Sequence, residues 1–260
     1  MNQRLNGRRA LVTGGSSGIG EAISLALAAA GAHVVVNCSR HLGAARRVVK
    51  AIEAKGGKAI AVLADISKPQ AAAALFRKID RKWGGIDILI NNAGIDGPHA
   101  VAWESELAAW REVIEVNLFG AFYCAREALR RMVPQGRGVI LNTSSVHEEI
   151  AWSGYSAYTA SKAALAMLTK TLAQEAAPHG VRVLAIAPGA IKTPINAGVW
   201  QDAKGRQDLL AKIPLGRLGT PADIAAVAAF LVSDAASYIT ARTIFVDGGM
   251  TDYPEFAHGG

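Results

Sequence analysis

Residues 9–20 read "RALVTGGSSGIG", and how this stretch folds decides the rest of the chain. An apolar run ends at Val12–Thr13, four glycines punctuate the next seven residues, and "GEAISLALAAAG" (20–31) follows with helical spacing of its apolar residues. That order predicts strand, tight turn, helix. Gly14 suits the tight turn, Gly18 lets backbone approach a pyrophosphate, and Gly20 permits close packing of helix on strand. The helix N-terminus would then present unpaired N–H groups and partial positive charge to phosphate. A glycine-rich turn alone is weak evidence, but one set between a first strand and a first helix reads as a dinucleotide cradle.

The same alternation continues outward. "HVVVN" (33–37), "KAIAVLA" (58–64), "IDILIN" (86–91), "GVILNTS" (138–144), "VRVLAIAP" (181–188) and "TIFVD" (243–247) read as further strands, after "RALVT" (9–13). They are apolar almost throughout, as strands covered on both faces must be. Amphipathic stretches such as "AAALFRKIDRKWG" and "LTKTLAQEAAPHG" lie between them, several ending at Gly as helices often do. Right-handed βαβ units follow, giving an α/β fold: one doubly wound, seven-stranded parallel sheet of Rossmann type. No linker or composition shift divides residues 1–260, so one domain is expected. Ligands of such sheets bind outside the carboxyl ends of the strands.

Composition narrows the function classes. Hydrophobic residues make up 51% of the 260 and aromatics 6%, which suits a large aliphatic core and not a base-stacking platform. The net charge of +7 is scattered, with no basic cluster longer than the pairs Arg46-Arg47 and Arg130-Arg131, so nucleic acid is not the expected partner. Two cysteines, Cys38 and Cys124, argue for a reducing compartment. No signal peptide or membrane span is read, and a cytoplasmic location is expected. Histidine spacing implies no metal site.

Chemistry concentrates in "SSVHEEIAWSGYSAYTASK" (144–162). A tyrosine phenol, with a reference pKa of about 10, is a poor base at neutral pH. Lys162 follows Tyr158 by four residues, so on a helix the two share a face and the ammonium favours phenolate. Ser145, at the carboxyl end of the fifth strand, is placed to hold a substrate oxygen. Asn117 in "VIEVNLFG" is suited to orient a water that links Lys162 to solvent.

The T-G-x-x-x-G-x-G spacing, "NNAG" (91–94), Asp65 in "LADIS", Asn117, Ser145, Y-x-x-x-K and "PG" (188–189) with Thr193 occur in one order. Together they resemble the short-chain dehydrogenase/reductase family over nearly the whole chain. The resemblance implies an NAD(P)-dependent oxidoreductase with the tetrad Asn117, Ser145, Tyr158 and Lys162. Tyr158 would be the acid/base, and Lys162 would also hold the nicotinamide ribose. It implies cofactor contacts from Gly14, Ser17, Gly18, Ile19 and Gly20, then Asp65 and Ile66, then Asn92, Ala93 and Gly94, then Tyr158 and Lys162. Pro188, Gly189, Ile191 and Thr193 would line the nicotinamide. It also implies a homotetramer, with helices around 103–133 and 155–177 forming one interface and the last strand another.

The second strand ends "NCSR". Asn37 brings no charge to repel a 2′-phosphate, and Ser39 and Arg40 can donate to one, so NADP is favoured over NAD. For the substrate, "SSVHEEI" (144–150), "GAIKTPINA" (189–197) and "DGGMTDYPEF" (247–256) resemble the bacterial glucose 1-dehydrogenases of that family. Asp96, His147 and Asn196 would join Ser145 in meeting sugar hydroxyls, each of which needs a partner once out of water. The chain departs from those enzymes in having Asp96 for Glu and Ser153 for proline. Residues 190–213 are expected to form a substrate lid, with Gly198 and Gly205 as hinges and Trp200 near the sugar. The rival readings are a reductase of 3-oxoacyl thioesters on a carrier protein, suggested by "GRLGTPADIA" (216–225), and a non-catalytic dinucleotide-binding regulator.

Overall fold

The computed structural model describes residues 5–193, 200 and 202–252. Its seven parallel strands are β1 (Arg9–Val12), β2 (His33–Cys38), β3 (Lys58–Leu63), β4 (Ile88–Asn91), β5 (Gly138–Thr143), β6 (Val181–Pro188) and β7 (Thr243–Val246). They lie in the order β3-β2-β1-β4-β5-β6-β7. The chain therefore builds leftward from β1, returns across the sheet, and reverses direction between β1 and β4. That reversal opens a crevice above the carboxyl ends of these two strands.

Along β2 the side chains alternate between two cores. Val34 and Val36 pack with α1 (Gly18–Ala29), α2 (Leu42–Glu53) and the helix Pro221–Leu231. Val35 packs on the other face with α3 (Pro69–Trp83), α5 (Ala121–Gln135) and α6 (Ser156–Ala176). Period-2 alternation thus serves two apolar layers at once, so the strand reads as one continuous apolar run. α3 shows the complementary helical pattern. Its buried residues Ala72, Leu75, Phe76 and Ile79 form one stripe, Pro69 opens it, and Gly84 ends it in the left-handed region at φ 74°.

The sheet's amino end is fixed by a buried charge pair. Arg9 Nε donates to Asp87 Oδ2 at 2.7 Å, and Arg137 approaches Asp87 Oδ1 at 3.4 Å. Burial alone would raise the Asp87 carboxyl, but the hydrogen bonds and charge of Arg9 hold it below its ordinary value. Asp87 ties the entry to β4 to both neighbours, its N–H donating to Arg9 O and its carbonyl accepting from Val139 N, and the strand itself begins at Ile88, two residues later than its sequence suggests.

Of the expected lid, the described part holds the helix Ala203–Leu210, capped by Asp202, whose carboxylate accepts from the Gly205 backbone N at 2.7 Å. Gly205 is therefore a first-turn helical residue with its N–H engaged, and the hinge expected there is corrected. The lid's base is tied instead. Gly219 N donates to Ala190 O at 2.9 Å, and Lys192 N donates to Gly219 O at 2.9 Å. Asn196, Gly198, the remaining lid residues 194–199 and 201, and the tail 253–256 lie outside the described residues. Among the described residues no helix is long and apolar enough to cross a membrane.

Candidate active site

The glycine turn is built to closeness. Gly14 sits at φ +62°, and a Cβ there would meet Ala93 Cα at 3.0 Å. A Cβ on Gly20 would run into the Gly14 carbonyl and the Asn92 amide. Thr13 clamps the two loops together, its hydroxyl accepting from Asn92 N at 2.9 Å and Ala93 N at 3.1 Å. Asn92 Nδ2 returns a bond to Thr13 O at 3.1 Å. Asn92 and Ala93 therefore hold the turn open from behind, with Gly94 beside them. Ser17 is the N-cap residue of α1, yet its hydroxyl does not cap the helix. Hydroxyl and helix N-terminus together suit a pyrophosphate. Gly18, at φ +53°, completes the bend, and Ile19 packs against the core behind it. This cradle, which any Cβ would fill, fits a dinucleotide.

At the adenosine end the structure separates the expected residues. The Asn37 amide turns into the sheet, donating to Val62 O at 3.2 Å and Ala64 O at 3.0 Å, so it braces β2 against the β3 edge. Its backbone carbonyl accepts from Gly15 N at 2.9 Å, and that is its link to the glycine turn. Ser39 and Arg40 are exposed beyond it, with Arg40 Nη2 3.6 Å from Glu112 Oε1. Asp65 is exposed and accepts through Oδ1 from Ser67 N and Oγ, at 3.0 and 2.8 Å. Ile66 is buried below Gly120. Pro188 and Gly189 end β6 against Asp247, while Ile191 and Thr193 are buried at the base of the lid.

Asn117 lies in a π-helical turn, Glu115–Gly120, between α4 (Leu107–Ile114) and α5. Such turns recur at functional sites because they splay the helix and turn a side chain inward. Its amide grips the backbone of one residue in both directions: Oδ1 accepts from Ile95 N at 2.8 Å and Nδ2 donates to Ile95 O at 2.9 Å. Nδ2 also donates to Ser161 Oγ at 3.1 Å. The side chain expected to hold a water is thus occupied in fixing the Gly94–Asp96 loop.

Lys162 is buried, donates to Thr143 O at 2.8 Å, and lies 5.5 Å from the Tyr158 ring centroid. Burial lowers its ammonium to about 8, against the opposing charges of Asp96 and Glu148. Burial likewise raises the Tyr158 phenol above its ordinary value; a hydrogen bond with Ser145 works against this and the Asp96 charge adds to it. Ser145 is buried at the end of β5, its hydroxyl also accepting from His147 N at 3.2 Å. Held this way, the phenol is a proton donor towards a carbonyl. A positive charge brought nearby, such as an oxidised nicotinamide, shifts it towards a base.

Asp96 and His147 join this group. Burial raises the Asp96 carboxyl, while Lys162 and His147 pull it back. His147 Nδ1 lies 3.0 Å from Ile150 O, and its ring is 6.1 Å from that of Tyr158. Three features carry no motif in the sequence: the rings of Trp152 and Tyr155, and the half-buried Glu148, whose Oε2 has no hydrogen-bond partner among the described residues. Aromatic residues at 152, 155 and 158 were the available signal for the rings. Trp200, expected near the sugar, donates from its indole N to Thr193 O at 3.1 Å. Among the described residues no cluster of His, Cys, Asp or Glu could hold a metal ion.

The enoyl-(acyl carrier protein) reductase family matches residues 14–251. The chain is 48% identical to 3beta-hydroxysteroid dehydrogenase 1 of Eggerthella lenta, over all of this chain and 99% of that one. It is 42% identical to glucose 1-dehydrogenase 2 of Bacillus subtilis, covering 98% of each. Among solved structures, a 7 alpha-hydroxysteroid dehydrogenase complexed with NADH and 7-oxo glycochenodeoxycholic acid superposes with a TM-score of 0.91 at 38% identity, covering 95% of this chain and 96% of that one. The chain belongs to the short-chain dehydrogenase/reductase family and is an NAD(P)-dependent oxidoreductase.

Proposed function

We propose that this short-chain dehydrogenase/reductase moves hydride between C1 of an aldose such as glucose and NADP, with Tyr158 as acid/base. One observation carries the sugar reading: Asp96 and a neutral His147 converge on Tyr158 and Lys162 in a partly buried site. A polyhydroxylated substrate can pair these groups, whereas an apolar one leaves them desolvated and unpaired. In this reading Ser145 holds the reacting oxygen and Lys162 the nicotinamide ribose. Asn117 acts through the loop it fixes. Asn196 adds a further polar contact, and residues 190–213 close over the bound sugar. Arg40, with no acidic side chain at the end of β2, supports NADP.

A second reading, a 3-hydroxysteroid, is favoured by the 48% identity to the Eggerthella enzyme and by the aromatic wall around Trp152. The deciding assay follows nicotinamide reduction at mildly alkaline pH with D-glucose or a 3-hydroxysteroid, supplying NADP+ and NAD+ separately. Saturable reduction with glucose, faster with NADP+, is the expected result. Turnover of the steroid alone would replace the sugar reading, and activity only towards 3-oxoacyl thioesters would replace both.

A homotetramer is also proposed. Trp103 is 84% and Leu107 83% exposed, and Phe119 and Phe122 before and in α5 and Met167 on α6 are exposed too. Apolar surface of this extent suits a contact with a second copy of the chain. Sedimentation should give four times the chain mass of 27.2 kDa, and a monomer at micromolar concentration would refute it.

A further inference from the structure

Trp152 is 36% exposed, yet its indole carries two stacked rings. His147 stacks on it at 4.5 Å and 13°, and Tyr155 at 3.9 Å and 28°. Tyr158 meets its edge at 5.9 Å and 82°. Tyr155 in turn carries His99 edge-on at 5.4 Å. A column of four rings, His99, Tyr155, Trp152 and His147, therefore ends beside the phenol. The stack on His147 gives Trp152 a route to the substrate through that imidazole.

The hydrogen bond at the other end of that imidazole fixes its chemistry. The Ile150 carbonyl can only accept, so the proton sits on Nδ1. Burial keeps the ring neutral by lowering its pKa, against the hydrogen bond to Ile150 and the charge of Asp96. A neutral ring protonated at Nδ1 offers Nε2 as an acceptor and nothing else. An acceptor this close to Tyr158 matches a hydroxyl on the carbon next to the reacting one.

We propose that Trp152 is a positioning residue that selects substrates with a hydroxyl adjacent to the reacting carbon, by holding the His147 ring so that Nε2 stays fixed as its acceptor. The inference rests on the aldose reading above. An imidazole held by one hydrogen bond can still turn, and stacking removes that freedom before the substrate arrives, so its hydrogen bond carries less ordering cost.

The test compares D-glucose with 2-deoxy-D-glucose in the wild type, Trp152→Ala and Trp152→Phe. The wild type should prefer glucose by about tenfold in kcat/KM, the worth of one well-made hydrogen bond. Trp152→Ala should compress that ratio to about two, mainly by raising KM for glucose, while Trp152→Phe keeps a flat ring and most of the preference. Each ratio is internal to one preparation, so a partly unfolded variant does not distort it. Nitrogen NMR of histidine-labelled protein supplies a substrate-independent reading. The Nδ1-protonated form of His147 should dominate in the wild type and give way to mixed tautomers in Trp152→Ala. An unchanged sugar ratio in Trp152→Ala overturns the proposal. If the wild type oxidises neither sugar, the aldose reading fails, and the NMR comparison decides the positioning role: a His147 signal indifferent to Trp152→Ala overturns it.

Discussion

Tyr158→Phe should lower kcat by about 10³-fold while dinucleotide affinity stays within about twofold of wild type. The substitution is narrow because the ring is held on several sides. Trp152 and His147 meet it edge-on at 5.9 and 6.1 Å, and Lys162 Nζ lies 5.5 Å from its centroid. Phenylalanine keeps those contacts and loses the hydroxyl with its hydrogen bond to Ser145. The cofactor cradle, built from the glycine turn and the Thr13–Asn92 clamp, contains no atom of that hydroxyl. Steady-state kinetics and titration of dinucleotide fluorescence would read the two effects separately. A variant within tenfold of wild-type kcat would move the proton-transfer role to another group, Asp96 being the acid whose charge acts on the phenol. A variant that loses cofactor affinity as well would mean that the phenol helps to bind the dinucleotide.

The sheet was legible because strand and helix periods survive burial on both faces. All seven strands begin and end within two residues of where their apolar runs place them. The glycine turn was equally plain, since close approach of Gly14 and Gly20 to neighbouring backbone leaves no room for a side chain. What sequence could not say was where a polar side chain points once both faces of a strand are covered. Asn37 ends an apolar strand beside the adenosine edge, yet its amide finds two β3-edge carbonyls and turns inward. Asn117 is similar: its position in the π-helical turn follows the motif, but its occupation by the Ile95 backbone depends on a loop 22 residues earlier. The column of rings was hidden for a related reason. Trp152 precedes α6, in an irregular segment with no period to read; His147 and Tyr155 belong to the same β5–α6 connection, and His99 comes from the loop after β4. Asp202 shows the opposite case, a local capping signal that sequence does carry and that places Gly205 within a helix.

Lys162→Met should stabilise the folded protein at pH 7 while removing hydride transfer. Burial holds the ammonium at about 8 against an ordinary 10.5, so below pH 8 folding bears the full penalty of moving a charged group out of water. Each tenfold loss of proton affinity costs about 1.4 kcal/mol, which puts that penalty at about 3 kcal/mol. Removing the ammonium also leaves the Thr143 carbonyl without the donor it has at 2.8 Å, a loss of about 1–2 kcal/mol. The net expectation is a gain of about 1–2 kcal/mol at pH 7. Its pH dependence has a definite sign. Between pH 8 and 10.5 the unfolded wild-type chain holds a proton that the folded chain has released, so wild-type stability rises across that window. The methionine variant has no such dependence, and its advantage should shrink steadily over the same range. Urea denaturation of both proteins at pH 7, 8, 9 and 10 would trace the difference. A variant less stable than wild type at pH 7, or an advantage that stays constant to pH 10, would show that Lys162 is not a strained buried cation. The expected pattern instead means that the fold tolerates an unfavourable charge at this position because the chemistry beside Tyr158 requires one.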